Sequence, residues 1–204
     1  MVPNEVIIAT VHAGGYASLA WLGEELVAAS WGFLGAAHGE NTLHSHVTGV
    51  LPAYASRGVG EVLKHHQWAW AAERGLDAIR WTFDPLVRRN AHFNLVKLGA
   101  VIVEYREDFY GSIDDDLNRG EHTDRVMVRW PVRGAGKVPP SGFIAESAEW
   151  SIPTPPDIEA LRRSDRVAAH AWRDRQRAEL RRAFGGAWRI VGLMSDGSYA
   201  VVAK

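Results

Sequence analysis

Two histidines, His44 and His46, lie on a stretch that leads into the turn Arg57-Gly58-Val59-Gly60 and then into an apolar-periodic helix. Imidazole exchanges a proton near neutral pH without tuning, so either ring suits a general base. A strand that ends in glycines at a helix N-terminus builds an anion cradle. Backbone N–H groups converge there, the helix dipole favours negative charge, and glycine lets a phosphate approach the main chain closely. Gly58 and Gly60 are separated by one residue, which fits neither GxGxxG nor GxxxxGK[ST]. The dinucleotide and P-loop arrangements therefore fail on spacing, and another kind of pyrophosphate ligand is expected. The bland alternatives are a tight strand–helix turn for the glycines and a solvated face or a loop cap for the histidines. A metal site from the pair lacks an evident third ligand, so no metal is expected. His65 and His66 are adjacent on a helix and point apart.

Further along, Asp84-Pro85 reads as an N-cap followed by proline at the first helical position, opening a helix over Leu86–Leu98. Arg88 and Arg89 then fall in its first turns, where the dipole disfavours cations. Either an anionic ligand offsets that cost or both arginines are solvated. Asp124 and Arg125 open a later strand near Tyr110-Gly111. They either grip the charges of an amino-acid-like substrate or pair with each other. Asp114-Asp115-Asp116 lacks calcium-loop spacing and reads as a solvated loop. Most of the nine tryptophans are expected in the core, with Trp81 on a pocket wall.

The elements that position these residues follow from periodicity and punctuation. Over Asn4–Ala13, Val6, Ile7, Ile8 and Val11 favour a strand by propensity, whereas Asn4 as N-cap and Gly14-Gly15 as stop favour a short helix, the preferred reading. Strands follow at Gly15–Trp21, Glu25–Ala36 and Thr42–Leu51, the last with Leu43, Ser45 and Val47 on one face and His44, His46 and Thr48 on the other. A helix over Val59–Arg74 is expected to bury Val59, Val62, Leu63, Trp70 and Ala71. Strands at Ala78–Phe83, Ala100–Tyr105 and Asp124–Trp130 complete a core, and Pro131–Pro156 reads as a Pro/Gly-rich linker. The tail is expected to hold one helix, Asp157–Phe184, and a hairpin of Trp188–Leu193 and Tyr199–Val202 across Asp196-Gly197. That helix carries eight arginines against five acids, so packing on the core or across a dimer interface suits it better than nucleic acid.

Composition limits the function classes. With 204 residues, 47% apolar residues and a formal net charge of −1, the chain has the balance of a soluble globular protein. It offers no electrostatic case for nucleic acid or an anionic membrane. The absence of cysteine removes disulfides, thiolate catalysis and cysteine-type zinc sites. No apolar run approaches the roughly 20 residues of a membrane span, and MVPNEVII lacks a signal-peptide pattern, so a cytoplasmic location is expected.

The element order, together with Val50-Leu51-Pro52, Arg57-Gly58-Val59-Gly60 with Leu63, and the helix end Lys97-Leu98-Gly99-Ala100, resembles the GNAT acyl-CoA N-acyltransferases. WTFDPLVRRNAHFNLVKLG (Trp81–Gly99), Tyr110-Gly111 and Thr123-Asp124-Arg125 look like a narrower branch of predicted acetyltransferases. The resemblance implies an α/β (α+β) fold: a mixed, mainly antiparallel sheet splayed at the coenzyme A site and flanked by helices. It implies a core over 1–130, a linker over 131–156 and a helix–hairpin extension over 157–204. Acetyl-CoA or another acyl-CoA would be co-substrate, and a small-molecule primary amine, such as an amino acid, the acceptor. The backbone N–H groups of Arg57, Gly58, Val59, Gly60 and Glu61 would hold the pyrophosphate. Val50 and Leu51, near an expected bulge, would pair with pantetheine and polarise the thioester carbonyl. Asn90 would bond the pantetheine amide or serve helix–strand packing. His44 or His46 would be base, and Tyr110 or Tyr54 would substitute as acid or the thiolate would leave without one. Trp81, Arg88, Asp124 and Arg125 would face the acceptor, on the side of Tyr110-Gly111 where acceptors normally sit.

Three positions depart from the family pattern. Ala55 stands where Gln or Arg is usual, Leu95 where many members place an acidic tyrosine, and the chain opens at what resembles the family's second helix. These departures leave a non-catalytic acyl-CoA-binding module as the alternative.

Overall fold

A computed structural model describes residues 2–111 and 122–204. The Asp114-Asp115-Asp116 loop lies outside the described residues. Six strands form a mixed, mainly antiparallel sheet, and three more form a second, smaller sheet. The chain divides into two compact units, Met1–Trp81 with Trp130–Pro140, and Thr82–Arg129 with Ser141–Lys204.

The first unit opens with α1 (Asn4–His12), whose N-cap is Pro3 rather than Asn4. β1 (Tyr16–Leu22) and β2 (Glu25–Ala37) pair antiparallel across the turn at Gly23, and β2 pairs antiparallel with β3 (Glu40–Val50). The β2–β3 ladder is not regular. Gly32 lies opposite Ser45 while Trp31 lies opposite Val47, so His46 is an extra, bulged residue. Gly32 makes this possible, since a Cβ there would stand 2.6 Å from the main-chain oxygen of His44. The bulge reverses the alternation. Ser45 bonds to Lys64 and Thr48 to the buried Ser30, itself bonded by Gln67, so both turn towards the following helix. The expected grouping of Thr48 with His44 and His46 is therefore overturned.

α2 (Val59–Glu73) follows a short 3-10 turn at Pro52–Tyr54. Its buried stripe is Leu63, Lys64, Gln67, Trp68 and Ala71. Val62, expected inside, is exposed. The pattern misleads because a lysine and a glutamine, both hydrogen-bonded, occupy core positions that apolar counting assigns to their neighbours. β4 (Ala78–Phe83) leaves this helix by the turn at Gly75 and runs parallel to β3.

In the second unit Asp84 does not cap a helix. Its carboxylate accepts from the Leu86 N–H at 2.9 Å in a turn, and α3 begins only at Arg88 (Arg88–Ala91), continuing as a π-helical turn over His92–Lys97. β5 (Val101–Arg106) and β6 (Arg125–Pro131) pair antiparallel. β7 (Trp150–Ile152) lies inside the stretch read as a linker and pairs with β9 (Tyr199–Ala203), which also pairs with β8 (Trp188–Leu193). The expected single tail helix is two, α4 (Ile158–Ser164) and α5 (Arg166–Gly185). Asp157 and Asp165 each accept from an N–H three residues on, so the second aspartate starts a new helix where propensity alone would continue the first. Ile158 and Ala169 pack with Leu86 and Val87 in one apolar cluster.

Candidate functional site

The parallel pairing of β3 and β4 is short. Thr42, Leu43 and His44 lie opposite Ala78, Ile79 and Arg80, and beyond His44 no further pair forms although β3 runs on to Val50. The strands part, leaving a wedge. Main-chain direction along its β3 side follows from register. Leu51 N–H donates to the Val27 oxygen at 2.9 Å, and Ala28 lies opposite Val50. In an antiparallel ladder that phase turns the N–H and C=O of Val50, and of Thr48 opposite Ser30, away from β2 and into the wedge. The Leu51 N–H is thereby committed to β2. The bulge expected near Val50-Leu51 lies upstream, at His46.

The start of α2 is in the same unit. Gly58 takes the left-handed conformation (φ 84°) as N-cap, with no side-chain cap. Glu61 and Val62 both donate to the Gly58 oxygen at 3.0 Å, so the expected donor Glu61 is used inside the helix. Val59 and Gly60 are the first-turn residues whose N–H groups precede that bonding. Arg57 lies over the Tyr54 ring at 5.6 Å, and Tyr54 donates to Glu25 at 2.5 Å.

His44 stacks on Phe33 with ring centroids 4.8 Å apart, and the exposed, bulged His46 meets the edge of Trp31 at 5.2 Å. Burial, helped by the charges of His46 and Lys64, lowers the His44 pKa to about 4. The ring is therefore neutral throughout the physiological range.

Sequence reasoning passed over Lys64. Its side chain is buried, and Nζ donates to Ser45 Oγ at 2.7 Å and Gln67 Oε1 at 3.3 Å while standing 3.8 Å above the Trp81 ring. Burial alone lowers its pKa to about 7. The only signal in the sequence was a lysine three residues before a glutamine on an otherwise apolar helix face.

The remaining candidates belong to the second unit. Arg88 is neither solvated nor free for an anion. It donates through Nε to Thr154 Oγ1 at 2.9 Å and through Nη2 to the Thr154 carbonyl. Arg89 is exposed and bonds Glu159 at 2.7 Å, and Asn90 is exposed on α3. The Tyr110 hydroxyl lies 3.0 Å from Thr82 Oγ1, with the Arg125 guanidinium 5.4 Å from its ring. Asp124 is 1% exposed and pairs with neither a free face nor the Arg125 side chain. It accepts from Arg177, from Tyr105 at 2.6 Å and from the Asp108 N–H at 3.2 Å. Burial pushes its carboxyl up, but these donors outweigh it and hold the pKa below the ordinary value. Arg125 bonds the Asp124 main-chain oxygen at 2.8 Å. Among the described residues no group of three or more His, Cys, Asp or Glu could hold a metal ion. Nor is any helix among them long and apolar enough to cross a membrane.

Comparison with known proteins gives a consistent result. No curated protein matches the sequence. Residues 8–86 match the family described as Acetyltransferase (GNAT) domain. Among solved structures, Arabidopsis thaliana Naa50 in complex with the bisubstrate analogue CoA-Ac-MVNAL aligns with TM-score 0.51 at 21% identity, covering 63% of this chain and 82% of that one. A GNAT family acetyltransferase from Elizabethkingia anophelis with acetyl-CoA bound aligns with TM-score 0.51 at 16% identity, covering 63% and 83%. These likenesses show the fold, and the splayed strands and glycine turn lie in the matched region. Residues 8–86 thus match an acetyltransferase (GNAT) domain, and the structure shares the fold of solved acetyltransferases.

Proposed function

We propose that this protein moves an acetyl or other short acyl group from acyl-CoA to the primary amine of a small metabolite such as an amino acid, by direct attack, in the cytoplasm. The observation that carries this reading is the wedge between β3 and β4 beside the uncapped start of α2. Both parts suit coenzyme A. The N–H groups of Val59 and Gly60, with the charge of Arg57 nearby, suit a pyrophosphate. The main-chain groups of Thr48 and Val50 suit the amides of pantetheine, which would bond there as an added strand does. Bound there, the co-substrate supplies a thioester, whose carbonyl a main-chain N–H polarises.

His44 serves as base. It is neutral at pH 7, and it takes the proton from the attacking amine directly or through one water. A non-catalytic acyl-CoA-binding module is the second reading. It is favoured by one observation, that the position of the family's acidic tyrosine holds Leu95, which is buried.

The test is calorimetry with acetyl-CoA and succinyl-CoA, followed by an amine screen with the donor that binds. His44→Ala should lower kcat by about 10²-fold while leaving acyl-CoA affinity unchanged. Binding without turnover on any amine supports the module. No binding by the folded protein removes both readings.

A further inference from the structure

The last pair of the parallel ladder is His44 with Arg80, so Ser45 and Trp81 are the first residues on either side of the parting. Lys64 touches both. Its Nζ bonds the Ser45 hydroxyl at 2.7 Å and stands 3.8 Å above the Trp81 ring, so one ammonium bridges β3 and β4 at the apex of the wedge. A buried cation normally pairs with a carboxylate, because desolvation is otherwise uncompensated. Here the hydrogen-bond partners, Ser45 and Gln67, and the ring of Trp81 are all neutral. Structure alone gives little reason to keep a lysine in such a place.

We propose that Lys64 is a catalytic acid, which gives its Nζ proton to the sulfur of coenzyme A as the acyl–sulfur bond breaks. This rests on the acyl-transfer reading above. A pyrophosphate at the start of α2 and an arm laid along β3 direct the thioester towards the apex. The carbon–sulfur bond breaks with its electron pair going to sulfur, and the proton on Lys64 converts that thiolate to a thiol. The attacking nitrogen loses one proton to His44 and solvent, and Lys64 regains one from solvent, so the exchange balances. The role answers the chemistry left open by Leu95.

Proton affinity agrees with this placement. A lysine with pKa about 7 is half protonated near neutrality and is a far better donor than an ordinary ammonium. The titratable side chain that feels its charge is His44, whose basicity it lowers, and Ser45, Gln67 and Trp81 do not titrate in this range. An acid must be protonated to act, so kcat should fall about tenfold per pH unit above pH 7.

The experiment compares wild type, Lys64→Met and Lys64→Arg by acetyl-CoA calorimetry and by kcat between pH 5.5 and 9 (about 3.5 units). Both variants should bind acetyl-CoA as wild type does, lose about 10²-fold in kcat at pH 6.5 or so, and lose the alkaline fall. Arginine restores the charge but not a labile proton. Three results overturn the role: Lys64→Met retaining kcat within about threefold, wild-type kcat lacking the alkaline fall, or mass spectrometry finding Lys64 itself acylated during turnover. The second and third use wild type, so they decide the matter even where a variant fails to fold. Failure of wild type to bind acetyl-CoA removes the acyl-transfer reading instead.

Discussion

Two buried-cation sites, one in each unit, are built in opposite ways. In the second unit Arg162 and Arg173 close on one carboxylate: Arg162 Nη2 lies 2.8 Å and Arg173 Nη2 2.7 Å from Asp84 Oδ2. Burial pushes the Asp84 carboxyl up, but the charges of the two arginines more than offset it, and the group stays ionised. The cluster ties α4 and α5 to the segment after β4, and Gln176 and Tyr199 add bonds to the Pro85 oxygen at 3.1 and 2.8 Å. In the first unit Lys64 is equally sheltered and has only neutral partners. A buried charge with an opposite partner holds elements together, whereas one without a partner changes its proton affinity and becomes a reagent.

The sharpest way to break the contrast is Asp84→Asn. It removes the carboxylate on which two buried arginines converge, and a loss of about 3–5 kcal/mol is expected. Denaturant midpoints, or failure of the soluble protein to accumulate, would show it. A loss below about 1 kcal/mol would mean that the arginines are solvated in solution.

Lys64→Met should do the reverse. With a folded pKa of about 7 against an ordinary 10.5, the unfolded chain binds the proton more tightly, so burial penalises the native state at and below pH 7. The penalty is relieved as pH rises from 7 to 10.5, giving a slope of up to about 1.4 kcal/mol per unit. Wild-type stability relative to the methionine variant should therefore climb between neutral and alkaline pH, measured by urea unfolding at both. A flat difference would place the lysine in solvent. The smallest effect is expected at the rim. Arg89→Ala removes an exposed pair with Glu159 and should change stability by less than about 1 kcal/mol.

How far the sequence spoke differs between these regions for the same physical reason. Elements set by local rules were legible. β4 matches its expected bounds, Gly23 and Gly197 turn the hairpins with φ of 61° and 83°, and the glycine turn opens α2 where expected. Features set by partners distant in sequence were not. The phase change at His46 depends on a glycine in the neighbouring strand, and Arg88 is fixed by Thr154, 66 residues away. Lys64 and Gln67 hid the true face of α2 because polar side chains count as exterior until their partners are known. The break between α4 and α5 was readable in principle, since Ser164-Asp165 carries an N-cap signal within the run of arginines.

The parting of β3 and β4 also sets a standard of admission. Whatever fills the wedge takes the place of water on main-chain groups that β2 does not use, and an amide or carbonyl covered without a new partner costs about 1–3 kcal/mol. A hydrocarbon tail of the right length would incur that cost at each step. A molecule carrying its own amides at strand-like intervals would not. Discrimination of this kind needs no side chain, so sequence drift at Thr48 or Val50 can leave it untouched while the backbone keeps its course.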